Sequence, residues 1–219
     1  MLVSGGLDSA VALAEAAREG PVEPVYIRSG LVWESAEMYW LERFLQTIGA
    51  PPLVVLDLPV ADLYGAHWSL TGDNPPGVES PDEAVYLAGR NLLLLSKAGV
   101  WAAENGCAAI VMGPLAANPF PDGTRAFFDA MGEAIGLAMG LGGALPVETP
   151  LSGLSKTEVV RRAAGLPLEL TFSCLRPTPD HLHCGECNKC AERRRGFAEA
   201  GVDDPTVYAY GSREGAGST

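Results

Sequence analysis

Four cysteines crowd into one short stretch near the end of the chain and constrain how that stretch can fold. Cys174, Cys184, Cys187 and Cys190 follow the spacing C-x9-C-x2-C-x2-C. A Cys-x2-Cys turn lets two thiolates converge on one ion at about 2.3 Å, and four thiolates complete a tetrahedral Zn²⁺ site. Because no coordination position then remains for a substrate, we expect this zinc to be structural. Disulfide pairs, which a cytosolic setting disfavours, and an iron–sulfur cluster are the open alternatives.

The remaining cysteine and the nearby histidines receive simpler interpretations. Cys107 enters an apolar run, so we expect a buried packing residue. His181 and His183 lie between the first two cysteines of the cluster, and either could replace a thiolate as a ligand. Since four thiols are available, we interpret both histidines as loop residues near the site.

Composition limits the class of protein and its partners. The chain has 219 residues, of which 47% are hydrophobic and 19% charged, so it can bury a core rather than remain disordered. The longest obvious apolar run, Leu92 to Leu95, is far shorter than the roughly 20 residues of a membrane span. With no secretory signal pattern either, we expect a soluble, cytoplasmic protein. The net charge of −12 disfavours a nucleic-acid partner, and a homodimer is the expected assembly.

Hydrophobic periodicity predicts strands that alternate with helices, which is typical of a doubly wound parallel α/β sheet of Rossmann-like type. The first strand is unusually short, as expected if a few residues are missing from its front. The stretch from Pro59 to Glu83 has no clear period, and so long a loop is usually functional or mobile. Predicted strands cover residues 2–3, 24–27, 53–56, 109–112 and 144–147, and predicted helices cover about 8–19, 34–48, 90–105, 125–139 and 155–164.

These patterns divide the chain into three parts. Residues 1–168 form the predicted α/β domain, 169–210 a zinc-binding segment packed on it, and 211–219 a flexible tail. The last predicted helix has a recognisable start, because Ser155 and Glu158 match a capping box.

The turn after the first strand has the pattern of an anion-binding loop. It reads Ser4, Gly5, Gly6, Leu7, Asp8, Ser9 and leads directly into a helical run. Glycines permit a tight turn in which successive N–H groups and a helix N-terminus point at one place. An acid such as Asp8 suits this site mainly if it holds a divalent cation; the alternative is a helix cap in a tight turn. The string is neither a Walker loop nor a G-x-G-x-x-G dinucleotide loop.

This loop resembles the pyrophosphatase loop of the adenine-nucleotide α-hydrolase superfamily, whose members bind ATP and transfer AMP to an acceptor oxygen. Within it, nearly the whole chain resembles the 7-cyano-7-deazaguanine synthase family (QueC/ExsB) of queuosine biosynthesis. Four further blocks carry the resemblance: Ala88 to Leu92; Thr149 to Leu151 with Leu154 to Glu158; Ser173 with the cysteine group; and Ala200 to Pro205.

The resemblance implies a ligase that converts 7-carboxy-7-deazaguanine, ammonia and ATP to the 7-nitrile, with Mg²⁺ as cofactor and with release of AMP and pyrophosphate. It implies that residues 4–9 bind the nucleotide, with Arg90 and Asn91 as further contacts. Asp8 and Lys156 are the implied catalytic residues. For Lys156 the alternative is a solvated helix residue, and for Asn91 it is a role at the helix start.

Two segments depart from the family pattern, and both are expected near the acceptor: Arg28 to Glu34 and Asn118 to Arg125. Trp33 and Phe120 are candidates to stack on a flat ring, and Asp122 to accept hydrogen bonds from guanine-like N–H groups. The alternative for the second segment is an ordinary Pro/Asp/Gly loop. We interpret the other tryptophans, Trp40, Trp68 and Trp101, as packing residues.

The departures leave three hypotheses for function. The first is the nitrile synthase just described. The second is a divergent relative that adenylates another carboxylate, or a base for sulfur transfer. The third is a catalytically inactive nucleotide-binding partner protein, which the complete loop and Lys156 disfavour.

Overall fold

The computed structural model describes residues 1–210, so the predicted tail at 211–219 lies outside the described residues. The helices are α1 (Leu7–Glu19), α2 (Glu34–Thr47), α3 (Ala61–Tyr64), α4 (Trp68–Thr71), α5 (Arg90–Glu104), α6 (Arg125–Met139), α7 (Lys156–Arg162) and α8 (Asn188–Ala200). The strands are β1 (Val25–Arg28), β2 (Val54–Asp57), β3 (Ile110–Val111) and β4 (Val147–Glu148). Single 3-10 turns cover Asp82–Val85, Pro121–Gly123 and Leu168–Leu170.

The strands form two parallel pairs, β1 with β2 and β3 with β4, and the first residues of the chain lie between the pairs. The N–H of Val3 donates to the carbonyl of Val25 at 2.9 Å, and the N–H of Val25 donates to the carbonyl of Met1 at 2.8 Å. On the other side, the N–H of Leu2 donates to the carbonyl of Val111 at 3.0 Å. The order is therefore β2, β1, residues 1–3, β3, β4, which confirms the predicted parallel α/β sheet.

Alternating side chains of the strands face two helical layers. Tyr26 packs with α1 and α2 on one face, beside Leu13 and Phe44. Val25 and Ile27 pack on the other face against Ala98 of α5. Helices α5 and α6 also cover β3 and β4, through a cluster that contains Leu95, Ile110, Phe128, Ile135 and Val147.

The C-terminal segment is more helical than the sequence predicts. Helix α8 has no counterpart in the predicted elements, because its only strongly buried apolar residue outside the cysteines is Phe197. It is held instead by Arg193, whose Nε donates to Thr206 Oγ1 at 2.6 Å and whose Nη1 donates to Thr171 Oγ1 at 2.9 Å. A buried cation with good hydrogen bonds fixes a helix that hydrophobic periodicity does not reveal.

Other element bounds differ modestly from prediction. The strand predicted at 144–147 is observed at Val147–Glu148, and the aperiodic stretch from residue 59 to 83 contains α3 and α4. The capping box at the start of α7 is present: Ser155 Oγ accepts from the N–H of Glu158, whose carboxylate accepts from the N–H of Ser155. Within residues 1–210, no helix is both long and apolar enough to cross a membrane.

Candidate functional site

A cleft of about 390 Å³ opens at the carboxyl ends of the central strands. Residues 1–3 lie where the strand order reverses, and the loop that follows them forms one wall. This is the position at which open α/β sheets bind ligands, because the connections diverge there to opposite faces. The cleft brings together predicted site residues from distant parts of the chain: Ser4, Gly6, Leu7, Asp8, Ser9, Trp33, Arg90, Asn91, Phe120, Asp122 and Lys156.

The loop at residues 4–9 is held in one conformation by its own polar groups. Gly5 lies behind the wall with a φ of +75°, a conformation that disfavours side chains, and its carbonyl accepts from the N–H of Phe172 at 2.8 Å. A Cβ there would lie 3.1 Å from the carbonyl oxygen of Glu37. The N–H of Ser4 donates to Ser9 Oγ at 3.1 Å. The N-terminus of α1 is thereby aimed at the cleft, as anion binding requires.

Lys156 reaches this loop from the first position of α7. Its Nζ donates to Asp8 Oδ1 at 2.8 Å and to Oδ2 at 2.6 Å, and it lies 3.0 Å from Glu192 Oε1. Burial by itself lowers the pKa of Lys156, but the charges of Asp8 and Glu192 outweigh it and raise the pKa above its usual range. The ammonium therefore stays charged beside the loop.

Helix α8 supplies two cleft residues that sequence reasoning missed, Lys189 and Glu192. Lys189 Nζ donates to Glu192 Oε2 at 2.6 Å. Burial alone would raise the pKa of Glu192, but the two lysine charges lower it to about 2. In the sequence, Lys189 and Glu192 are notable only because they lie close to Cys190. That position does not indicate that α8 would direct both side chains into the cleft.

The predicted contacts on α5 are tied to the loop at residues 118–123. The backbone N–H of Asn91 donates to Asp122 Oδ2 at 2.9 Å, and Asn91 Nδ2 donates to the Asp122 carbonyl at 2.9 Å. The backbone N–H groups in the first turn of a helix have no acceptor within the helix. At the start of α5, Asp122 accepts from one of them, because the N-cap residue Gly89 has no side chain that could do so. Beside it, the buried Nε of Arg90 has no hydrogen-bond partner in the part of the chain that the structure describes.

Two stacked aromatic pairs line the cleft. Trp33 and Trp68 have ring centroids 5.6 Å apart at 28°, and Tyr86 and Phe120 have centroids 4.9 Å apart at 15°. Trp68 thus packs as predicted and also faces the cleft, which we did not predict. These pairs present flat apolar surfaces suited to a planar ring.

The segment from Arg28 to Glu34, which departs from the family pattern, is held by hydrogen bonds between its own residues. The Glu34 carboxylate accepts from the backbone N–H groups of Ser29 at 2.5 Å and Gly30 at 3.0 Å. This turn leads into α2 and places Trp33, which is only 5% exposed, at the cleft wall. Residues that differ from the family pattern therefore still form a fixed wall.

Glu37 is a carboxylate in the cleft that sequence reasoning also missed. It follows Trp33 by one helical turn and accepts a hydrogen bond from the Tyr26 hydroxyl at 2.6 Å. Burial raises the pKa of Glu37 to about 7, against the opposing effects of Arg90 and Tyr26. The available signal was the spacing of four residues between Glu37 and Trp33, the residue that caps the start of α2.

The four clustered cysteines form a site that fits a tetrahedral metal ion. Their Sγ atoms are buried and all lie within 4.8 Å of one another. Three separations are 3.5, 3.9 and 3.9 Å, close to the edge of about 3.8 Å for a tetrahedron with 2.3 Å bonds. All five cysteines are free thiols, so the disulfide alternative is not observed. Backbone N–H groups, including those of Leu175 and Cys184, donate to these sulfurs as they do in thiolate metal sites.

Comparison with known proteins decides the family. The model of the family described as "Queuosine biosynthesis protein QueC" matches residues 1–201. The chain belongs to the QueC family. Relatives named 7-cyano-7-deazaguanine synthase include one from Geobacter metallireducens, 36% identical over 95% of this chain and 92% of the relative. Another, from Methanothrix thermoacetophila, is 36% identical over 95% of this chain and 97% of the relative. One from Syntrophotalea carbinolica is 34% identical over 95% of this chain and 95% of the relative.

Family membership confirms the resemblance, and since its relatives are named as synthases, this QueC chain is an enzyme of queuosine biosynthesis. The roles of individual site residues, the nucleotide and the acceptor stay predictions. Both histidines of the QueC metal segment lie outside the four-sulfur group. His183 Nε2 accepts from the N–H of Ser173 at 2.9 Å, and burial lowers the pKa of His183 to about 3, so this imidazole is neutral and structural.

Proposed function

We propose that this QueC enzyme uses ATP to convert 7-carboxy-7-deazaguanine and ammonia to 7-cyano-7-deazaguanine, releasing AMP and pyrophosphate. The relatives' name supports the product. The observation that carries the ATP chemistry is the contact of Lys156 with Asp8, which puts an ammonium beside a phosphate-type loop. Stacked aromatic pairs in the same cleft support a planar acceptor.

The chemistry follows from the poor reactivity of a carboxylate. ATP supplies an adenylyl group to the carboxylate oxygen, with pyrophosphate as the leaving group. Ammonia then attacks the acyl carbon and AMP leaves, which forms the amide. A second adenylation, on the amide oxygen, lets AMP depart with loss of two protons from nitrogen, which forms the nitrile. This sequence consumes two ATP for each nitrile.

The residues of the cleft divide this work. The amides of residues 4–9 and the Lys156 ammonium stabilise negative charge on the phosphates as it develops. The contact with Lys156 supports a role for Asp8 in orienting this lysine. Asp8 is also the proposed ligand of Mg²⁺, which would neutralise phosphate charge. Arg90 and Asn91 are proposed nucleotide contacts.

The acceptor is proposed to stack on Trp33 and Phe120. Asp122 uses Oδ2 for the start of α5, so Oδ1 is the oxygen left to accept ring N–H groups. Zn²⁺ in the four-cysteine site, a homodimeric assembly and a cytoplasmic location complete the proposal, with no nucleic acid as substrate.

The test is mass spectrometry of a reaction that contains the purified protein, ATP, Mg²⁺, ¹⁵N-ammonium and 7-carboxy-7-deazaguanine. We expect ¹⁵N-labelled nitrile with about two AMP per nitrile, the ratio that two adenylations require. ADP and phosphate in place of AMP would overturn the adenylation chemistry. Nucleotide binding without acceptor-dependent AMP would mean that another acceptor takes the place of the deazaguanine acid, or that the chain is a nucleotide-binding partner without turnover.

A further inference from the structure

Two of the three lysines of the chain meet at one carboxylate. The lysines are Lys97, Lys156 and Lys189, and the last two contact opposite oxygens of Glu192. Lys156 Nζ lies 3.0 Å from Oε1, and Lys189 Nζ lies 2.6 Å from Oε2. Both lysines and Glu192 line the cleft that holds the loop at residues 4–9.

Four cations line the cleft in which a polyphosphate would bind: Arg90, Lys156, Lys189 and Arg193. The chain carries a net charge of −12, so its overall field repels a nucleotide. Arg193 also lines the cleft, but its guanidinium is used by Thr206, Thr171 and the carbonyl of Leu168 at 2.6 to 2.9 Å. Arg90 also lines the cleft, where it interacts with Glu37, so the positive charge in contact with Asp8 and Glu192 comes from the two lysines.

The Lys189 ammonium keeps capacity for a ligand. An ammonium has three N–H donors, and the contact with Glu192 uses one of them. Its side chain lines the cleft and is 32% exposed, against 21% for Lys156, so it is more accessible than the lysine held by Asp8. Because Glu192 is fixed between both ammoniums, it holds them in one orientation without a ligand.

We propose that Lys189 is a second phosphate-binding residue of the cleft, which contacts the pyrophosphate portion of the nucleotide beside Lys156. The inference rests on the proposed use of a nucleotide and extends it to a residue that the phosphate loop does not contain. The group formed by Lys156, Lys189, Asp8 and Glu192 carries no net charge. A divalent cation held by Asp8 would make this group doubly positive, which favours the binding of an anionic pyrophosphate. The competing interpretation is an ordinary ion pair between positions i and i+3 on the surface of α8.

Isothermal titration of the full-length, zinc-loaded chain with magnesium pyrophosphate, MgATP and AMP tests the proposal. Lys189→Met should weaken pyrophosphate and ATP binding about tenfold, the loss expected for one charge-assisted contact, and change AMP binding by less than about twofold. Lys189→Arg keeps the cation and should restore most of the affinity. Lys97→Met, on the exposed side of α5, is the matched control and should bind as the unmodified chain does.

The outcomes separate this inference from the function on which it rests. If the unmodified chain binds neither ATP nor pyrophosphate, both proposals fail. If Lys156→Met weakens binding while Lys189→Met matches Lys97→Met, the inference fails alone and the ion pair is a surface pair. Equal weakening of AMP and pyrophosphate would also overturn it, because the contact would not be specific to the leaving group. Zinc content and melting temperature of each variant establish that it is folded, and the arginine variant supplies the comparison if the methionine variant is not.

Discussion

Gly196 of α8 faces the stem of Lys156 so closely that a Cβ at residue 196 would lie 2.6 Å from Lys156 Cγ. A glycine inside a helix costs about 1 kcal/mol relative to alanine, so this position is not explained by helix stability. It is explained by the space that Lys156 needs to reach Asp8. The absence of one side chain on α8 thus sets the path of the proposed catalytic lysine on α7.

We predict that Gly196→Ala lowers AMP formation about 10- to 100-fold, because a displacement of about 1 Å at a reacting group has effects of this size. The melting temperature should change little, since alanine favours the helix while the flexible lysine moves aside. Gly153→Ala, where no atom lies within 4 Å of the added Cβ, is the control. Normal turnover in Gly196→Ala would show that the position of Lys156 is not critical.

Asp8→Asn is predicted to reduce AMP formation at least about 100-fold, because the amide neither holds a divalent cation nor orients Lys156 by charge. Lys156 keeps Glu192 as a partner, so zinc content and melting temperature should remain close to those of the unmodified chain. Single-turnover assays with saturating MgATP measure the effect, with Asp62→Asn on α3 as the control. Unchanged turnover would mean that Asp8 is only a helix-start residue.

Cys187→Ser should reduce bound zinc from about one equivalent to a small fraction and lower the melting temperature by roughly 10 °C or more. Removal of one thiolate opens a buried tetrahedral site that joins the Cys174 loop to α8. Cys107→Ser is the matched control, because Cys107 lies outside the four-cysteine group. It packs against the core beside α5 and is partly rather than fully buried, in contrast to the prediction. Elemental analysis and thermal unfolding provide the readouts; full zinc retention with normal melting would refute a structural metal.

Glu37 makes the stability of the fold depend on pH in a predictable direction. In the unfolded chain this carboxyl ionises near pH 4.5, whereas in the folded chain burial holds its pKa near 7. Between these values the folded state binds more protons, so the contribution of Glu37 to the free energy of unfolding falls as pH rises and is lost above about pH 7. In the unmodified chain we expect Glu37 to lower the free energy of unfolding by about 1–3 kcal/mol between pH 4.5 and 7. The Glu37→Gln variant should lack this decrease.

Urea unfolding at a series of pH values from 4.5 to 8 measures the Glu37 effect. Glu42→Gln, an exposed glutamate on the same helix, should follow the curve of the unmodified chain. A curve for Glu37→Gln that parallels the unmodified chain throughout would show that Glu37 ionises normally in the fold.

Local patterns made a large part of this protein predictable. The α/β alternation, the loop at residues 4–9, the capping box of α7 and the four cysteines each depend on residues close together in the chain. Helix α8 was missed because a buried arginine and two of the four clustered cysteines hold it, rather than a continuous apolar face. Hydrophobic periodicity detects only helices that are held by such a face.

The amino-acid sequence by itself determined which groups the protein has for its chemistry: the phosphate-type loop, the cysteine ligands and a candidate lysine. Only the tertiary structure decided that Lys156 meets Asp8 across 148 positions of the chain, that Glu192 joins it to Lys189, and that the partly buried Glu37 lines the same cleft. The physical reason is that hydrogen bonds, ion pairs and burial depend on distances of a few ångströms. Those distances are set by how helices pack on the sheet, and residue spacing along the chain does not contain them.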